Sequence, residues 1–231
     1  MNWLPENVST YGGDIDSLLY LITWITGITF VLVQGALLVF LFLYRHRDGR
    51  RAHYTHGSTT LEVIWTVVPS IILVVLAFLS KAKWDEIKVH TPPGDIQVEV
   101  TGKQFNWEIT YPGPDGEFGS GDDLTLDNEM HVPVHKVVVV TLLSKDVIHS
   151  FFVPQLRLKQ DAVPGRKILV WFEATKEGSF EIPCAELCGF GHSGMKGLLT
   201  VHNQADYDHW VSEKWPAAAA SETTPPETTP S

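Results

Sequence analysis

Cysteine is scarce in this chain: two residues of 231, Cys184 and Cys188. So few exclude a disulfide-rich scaffold and a cysteine-only zinc module. The lack of any Cys-x-x-Cys-His excludes a covalently attached c-type haem. Positive charge is also short. Lys and Arg number 17 against 27 Asp and Glu, a net charge of −10. The basic residues cluster in one short loop only, so the sequence offers nucleic acid no surface to bind. Charged residues make up 19% of the chain and apolar ones 44%, which excludes wholesale disorder. The length suits one or two domains with a real core.

What is present is segregated along the chain. Residues 1–17 are polar, with Glu6, Asp14 and Asp16 and no Lys or Arg, and read as an extracytoplasmic N-terminal segment. Residues 18–44 carry no formal charge. At about 1.5 Å per residue that run spans a hydrocarbon core of about 30 Å with length to spare. A secretory signal would open on a basic stretch and carry an apolar core of about 7–15 residues. Here the start is acidic and the run is far longer, so it reads as a retained membrane helix. Residues 45–60 form a short loop with Arg45, Arg47, Arg50 and Arg51 against Asp48 alone. A second membrane helix is predicted over 61–83, with Glu62 at its start and Pro69 inside it. The positive-inside rule puts the arginine loop in the cytoplasm of a bacterial cell. Both the N-terminus and everything after the second helix then lie outside.

Residues 84–215 read as a soluble domain built from short segments rich in Val, Ile, Phe and Trp: 96–101, 104–111, 136–143, 147–153, 167–173 and 197–202. Turn residues such as Pro92-Pro93-Gly94 and Pro164-Gly165 separate them, a spacing that predicts an antiparallel sandwich or barrel. The acidic stretch 113–129 lacks EF-hand spacing and reads as a solvated turn. Residues 216–231 are Ala, Thr, Pro, Ser and Glu, a composition that predicts a disordered tail.

Chemistry concentrates in residues 181–198, EIPCAELCGFGHSGMKGL, which hold Cys184, Glu186, Cys188, His192 and Met195. His149 lies upstream on a predicted strand. Thiolate, imidazole and thioether are the donors copper prefers, Cu(I) above all. Alone, two extracytoplasmic cysteines would read as a disulfide, His192 as a surface histidine and Met195 as a core residue. At this joint spacing they read as a copper site. With one thiolate it would be mononuclear and of the blue-copper type. With both thiolates bridging it would be dinuclear. Zinc is the weaker competitor because it seldom takes Met. His46, His53, His56, His90, His131, His135, His202 and His209 show no convergent spacing and are assigned no role.

These motifs resemble subunit II of the haem–copper cytochrome c oxidases. The resemblance spans roughly residues 15–215. It includes EVIWTVVPSIIL (62–73), GKQFNWEITYP (102–112), SKDVIHSFFVPQLRLKQDAVPGR (144–166) and the copper loop, in the family's order. It implies a cupredoxin-like Greek-key β-sandwich behind a two-helix membrane hairpin, and a dinuclear copper A centre. In that likeness Cys184 and Cys188 bridge both coppers, His149 and Met195 complete one, and His192 with the Glu186 carbonyl completes the other. The Glu186 side chain is expected to reach a Mg²⁺ or Mn²⁺ at the boundary with subunit I. Glu62 matches the mouth of a proton-uptake channel. The implied partners are subunits I and III, membrane lipid and a cytochrome c-type donor. The implied activity is electron relay to haem in subunit I, where oxygen is reduced to water and protons are pumped.

One position departs from the family pattern. The aromatic stretch usually reads Gln-Trp-Tyr-Trp, and its first Trp receives electrons from cytochrome c. Here it reads Gln104-Phe105-Asn106-Trp107. Positions 105 and 107 are predicted on one face of a strand. Phe lacks the indole's size and N–H, which leaves open a different cytochrome, a tethered one on another subunit, or another complex as donor. Alternative functions are the copper A subunit of a nitric oxide reductase and a membrane-anchored copper-binding module without a redox partner. Nitrous oxide reductase lacks the hairpin, and quinol oxidases lack the ligands.

Overall fold

Two long helices open the chain, α1 over Gly12–Leu43 and α2 over Thr59–Trp84. They belong to a computed structural model that describes residues 3–51 and 53–215. The proposed tail, 216–231, lies outside the described residues. The chain divides into two units: Asp14–Glu86, and the residues up to 13 together with those from 87 onward.

In the first unit both helices are long and apolar enough to cross a membrane. Their surfaces show Phe30, Leu32, Phe42, Leu73 and Phe78. Lipid offers polar groups no partner, so each must be satisfied within its own segment. The hydroxyls of Thr23, Thr26 and Thr29 do so, donating to the carbonyls of Leu19, Ile22 and Ile25 at 2.7, 2.8 and 2.8 Å. α1 begins upstream of the charge-free run because Asp14 in its first turn favours a helix N-terminus. α2 starts at the Ser58 N-cap, with Glu62 in its first turn. Asp14 pairs with Lys83 at 2.8 Å. The arginine loop joins the helices at their other ends, where Arg50 donates to the Leu43 carbonyl at 3.0 Å.

The second unit is a β-sandwich. Its strands are β1 (Ile96–Lys103), β2 (Asn106–Tyr111), β3 (Leu124–Asp127), β4 (Glu129–Pro133), β5 (Val137–Ser144), β6 (His149–Val153), β7 (Leu158–Ala162), β8 (Ile168–Glu173), β9 (Gly178–Pro183) and β10 (Lys196–His202). A short helix, α3 (Gln204–Lys214), follows. One sheet runs β3-β2-β1-β5-β8, a second β4-β10-β9, and β6 pairs with β7. Alternate residues turn inward, as the pleat requires: Val98 and Val100 on β1, Val138, Val140 and Leu142 on β5, Val170 and Phe172 on β8. Met130, Val132, Ile182, Leu199 and Val201 meet them from the other sheet. The arrangement is cupredoxin-like, as the resemblance implied.

The pairing corrects one expectation. The sandwich is mixed, because β1 runs parallel to β5 (Val98↔Val140) and β4 parallel to β10 (Met130↔Leu199). Four strands went unread in the sequence. β7 and β9 are short and carry charged residues among few apolar ones. β3 and β4 lie at or inside the acidic stretch read as a turn, yet Leu126 pairs with Ile109 on β2.

The N-terminal residues are strapped to the sandwich. Ser9 bridges Ala174 just beyond β8. Val8 N–H donates to the Gln155 carbonyl at 2.9 Å, and Thr175 N–H to the Val8 carbonyl at 2.8 Å. Val8 and Tyr11 are buried, and Tyr11 meets Trp171 edge-on at 5.2 Å. A segment bonded to the domain lies on the domain's side of a membrane, in line with the sequence-derived topology.

Candidate metal centre

The ligand loop is the connection between β9 and β10. Cys184 follows the last residue of β9 and Met195 precedes the first of β10. The Cys184 N–H donates to the Met195 carbonyl at 3.0 Å and closes the neck. Within the loop a 3₁₀ turn, His192–Gly194, brings His192 back towards Cys188. His149 opens β6, whose next residues hold the loop from beside it. Ala185 N–H donates to the Ser150 carbonyl at 3.0 Å, and Phe151 bridges Cys184.

This placement gathers six donors. Cys184 Sγ lies 3.9 Å from Cys188 Sγ, far beyond the disulfide length of about 2.0 Å. Both thiols are free. Cys184 Sγ stands 3.9 Å from His149 Nδ1 and 3.3 Å from the Glu186 carbonyl oxygen. Cys188 Sγ stands 3.6 Å from His192 Nδ1 and 3.8 Å from Met195 Sδ. His149, Cys184, Cys188 and Met195 are buried, His192 half-buried. Burial pushes the Cys188 thiol up to about 11, and the neighbouring Cys184 adds to the shift. Two soft sulfurs, a thioether, two imidazoles and a carbonyl make a donor set that fits copper.

Close approach depends on Gly102 of β1. A Cβ there would stand 2.8 Å from His149 Cδ2, so only glycine lets the imidazole lie on the strand. Trp107 of β2 walls the other side. It is fully buried, meets His149 edge-on at 5.9 Å, and donates its indole N–H to the Ile182 carbonyl at 3.2 Å.

Phe105 is placed otherwise than predicted. Gln104 and Phe105 form the turn between β1 and β2, joined by a cis peptide. Phe105 therefore does not share a strand face with Trp107. It is 39% exposed and packs on the copper loop, where a Cβ on Gly191 would come within 2.5 Å of its ring. The Glu186 side chain is exposed, and among the described residues no cation-holding cluster includes it. Glu62 lies in the membrane unit, in the first turn of α2.

Two residues at the centre, Asp146 and Gln104, were not foreseen. Asp146 Oδ1 accepts from His149 Nε2 at 2.7 Å, and its Oδ2 accepts from the Gln104 backbone N–H at 2.7 Å. Gln104 Nε2 donates to the Cys188 carbonyl at 2.6 Å. Burial pushes the Asp146 carboxyl up, but hydrogen bonds from His149, Gln104 and Val147 outweigh it and hold the group below the usual range. The sequence signal was a carboxylate three residues before His149; nothing local pointed from Gln104 to Cys188. The structure also joins two histidines given no role. His131 Nδ1 and His202 Nε2 lie 2.8 Å apart.

Comparison with known proteins bears on the whole chain. A family model of the cytochrome c oxidase subunit II periplasmic domain matches residues 99–201, and one of its transmembrane domain matches residues 6–82. The alternative cytochrome c oxidase subunit 2 of Bradyrhizobium diazoefficiens is 30% identical over 92% of this chain and 83% of its own. Cytochrome c oxidase subunit 2 of Cereibacter sphaeroides is 34% identical over 83% of this chain and 75% of its own. The chain belongs to the cytochrome c oxidase subunit II family. It is thus a membrane-anchored subunit of a haem–copper oxidase complex, a partner of subunit I, with its C-terminal domain outside the cytoplasm. Among solved structures, the periplasmic domain of subunit II of cytochrome oxidase from Bradyrhizobium japonicum is 35% identical, covering 55% of this chain and 99% of that one at a TM-score of 0.49. In this subunit II the two helices provide the anchor and the sandwich carries the metal-ligand set.

Proposed function

We propose that this chain relays electrons through a dinuclear copper A centre, from a cytochrome c-type donor to haem in subunit I, within an oxidase that reduces oxygen to water and pumps protons. The supporting observation is the set of four donors gathered around two buried thiol sulfurs 3.9 Å apart. Copper held by these residues would supply one-electron exchange.

The residues of the chain perform the rest. Cys184 and Cys188 would be shared ligands, with His149, Met195, His192 and the Glu186 carbonyl completing the set. The sandwich holds these donors in place, because the backbones of Cys184 and Met195 are hydrogen-bonded across the loop neck. Trp107 packs edge-on against His149 and is itself backed by Phe151, and all three are fully buried. Phe105, exposed in the β1–β2 turn beside the ligand loop, is where a donor would approach. The Glu186 side chain is exposed, and subunit I would complete a Mg²⁺ or Mn²⁺ site with its carboxylate. Glu62 would stand at the cytoplasmic mouth of a proton path, its partners supplied by another chain.

The test is copper loading of the full chain in detergent, followed by metal analysis and electron paramagnetic resonance. Two coppers per chain with one spin shared equally over both are expected. One copper, or a spin localised on one nucleus, would overturn the dinuclear reading.

A further inference from the structure

The turn between β1 and β2 reaches the metal centre at two points, and neither contact comes from a ligand. Asp146 stands in the connection from β5 to β6. One oxygen of its carboxylate accepts from the His149 Nε2–H at 2.7 Å and from the Val147 N–H at 2.6 Å. The other accepts from the Gln104 N–H at 2.7 Å. The Gln104 side chain then crosses to the copper loop and donates to the Cys188 carbonyl at 2.6 Å. Carbonyl oxygens only accept, so that contact fixes which end of the Gln104 amide faces Cys188. The result is one connected path: His149 imidazole, Asp146 carboxylate, Gln104, Cys188 carbonyl.

Each link has a chemical consequence. A neutral imidazole that donates through Nε2 keeps its lone pair on Nδ1, and Nδ1 is the atom facing Cys184. A carboxylate on the far nitrogen makes the ring a stronger donor to a metal. At the other end of the path, the Cys188 carbonyl is pinned to the turn that carries Phe105. The ring of Phe105 lies so close to Gly189 and Gly191 that a Cβ on either would meet it within 3.1 Å. The turn and the copper loop therefore keep a fixed mutual position.

We infer that Asp146 and Gln104 form a brace that sets the tautomer and donor strength of His149 and holds the Phe105 turn against the Cys188 side of the copper loop. Both are positioning residues, acting through ligands. The inference rests on the copper reading given under Proposed function. It goes beyond that reading by assigning the tuning of the centre to two side chains that bind no metal.

The test uses the full chain in detergent, titrated with copper, as wild type and as Asp146→Asn, Asp146→Glu and Gln104→Ala. Copper affinity, the paramagnetic resonance spectrum, the reduction potential and Tm are read for each. In Asp146→Asn either Gln104, or His149 together with the Val147 N–H, loses its acceptor, and the negative charge is gone. Copper affinity should fall about 10- to 100-fold, the range for lost outer-shell partners. The centre should also be easier to reduce, and each tenfold bias towards the reduced form appears as about 59 mV. Asp146→Glu, which keeps the charge, should recover part of both effects. Gln104→Ala leaves the His149 contact and the backbone bonds in place, so it should fold and change the hyperfine pattern through Cys188 with a smaller shift in potential. A change in Tm alone, with potential and spectrum as in the wild type, would overturn the brace. So would a Gln104→Ala spectrum identical to wild type if Asp146→Asn fails to fold. Wild-type chain that takes up no copper overturns both this inference and the proposed function. Wild type that loads normally beside unaltered variants overturns the brace alone.

Discussion

At the scale of single residues, the centre depends on side chains of very different legibility. Replacing Cys188 with Ser should leave the sandwich folded and abolish the shared-spin copper signal, read by paramagnetic resonance. Gly102 sits 2.8 Å, by its absent Cβ, from the His149 ring. Gly102→Ala should therefore cost about 1–3 kcal/mol of stability through overpacking and weaken copper uptake, measured by thermal unfolding and metal titration. Cys184, Glu186, Cys188, His192 and Met195 could be read together because one loop carries them at short spacing. His149 could be set beside them only as an upstream histidine on a predicted strand, and its place among the ligands came from the family resemblance, since it sits on another strand. Asp146 had a local signal, a carboxylate three residues before His149, but Gln104 was out of reach because its contacts run to two other connections. Phe105 was misread for a related reason. Alternation places a residue on a face only while the strand lasts, and here the chain turns at positions 104 and 105.

At the scale of elements, α3 is held by an aromatic stack on a pair of imidazoles. Trp210 stacks on His131 at 4.8 Å, and His131 and His202 share a hydrogen bond. Parallel pairing of β4 with β10 sets His131 opposite Thr200, and His202 is its diagonal neighbour on the same face. That parallel register was invisible in the sequence, which is why both histidines seemed idle. Around them stand Glu129 on β4, Tyr111 on β2, and Asp206, Tyr207 and Lys214 on α3. Burial lowers the pKa of both rings, and for His131 the His202 neighbour lowers it further. The unfolded chain therefore takes up protons at a higher pH than the folded one does. Stability from this pair is complete above the ordinary value of 6.5 and is lost as pH falls through the folded values. Acid titration should loosen α3 below pH 6.5, seen as a change in fluorescence of Trp210 and Trp215. His202→Gln, which cannot be protonated, should flatten that response.

At the scale of the whole molecule, charge and connectivity matter more than any one contact. A net charge of −10 favours a basic partner. Association with a basic haem donor should slow steeply as salt rises, because exposed charges more than about 10 Å apart are screened at 0.1 M. Stopped-flow rates that ignore ionic strength would contradict that expectation. The organisation into a membrane hairpin and a β domain was legible because charge-free runs and alternating strands are local patterns. The strap of residues 8–11 was not, since its partners lie beyond the hairpin in sequence.

The strap also imposes an order on biogenesis. Val8 emerges from the ribosome long before Gln155, Ala174 and Thr175, to which its segment bonds. Residues 8–11 can close against the domain only when its later strands stand on the same side of the membrane. Until then the end of β8 is an open sheet edge, the kind that pairs with other chains. Docking of residues 8–11 is thus among the last steps in completing the domain. A chain inserted with its first helix reversed would keep that strap on the wrong side of the membrane from the sheet it completes.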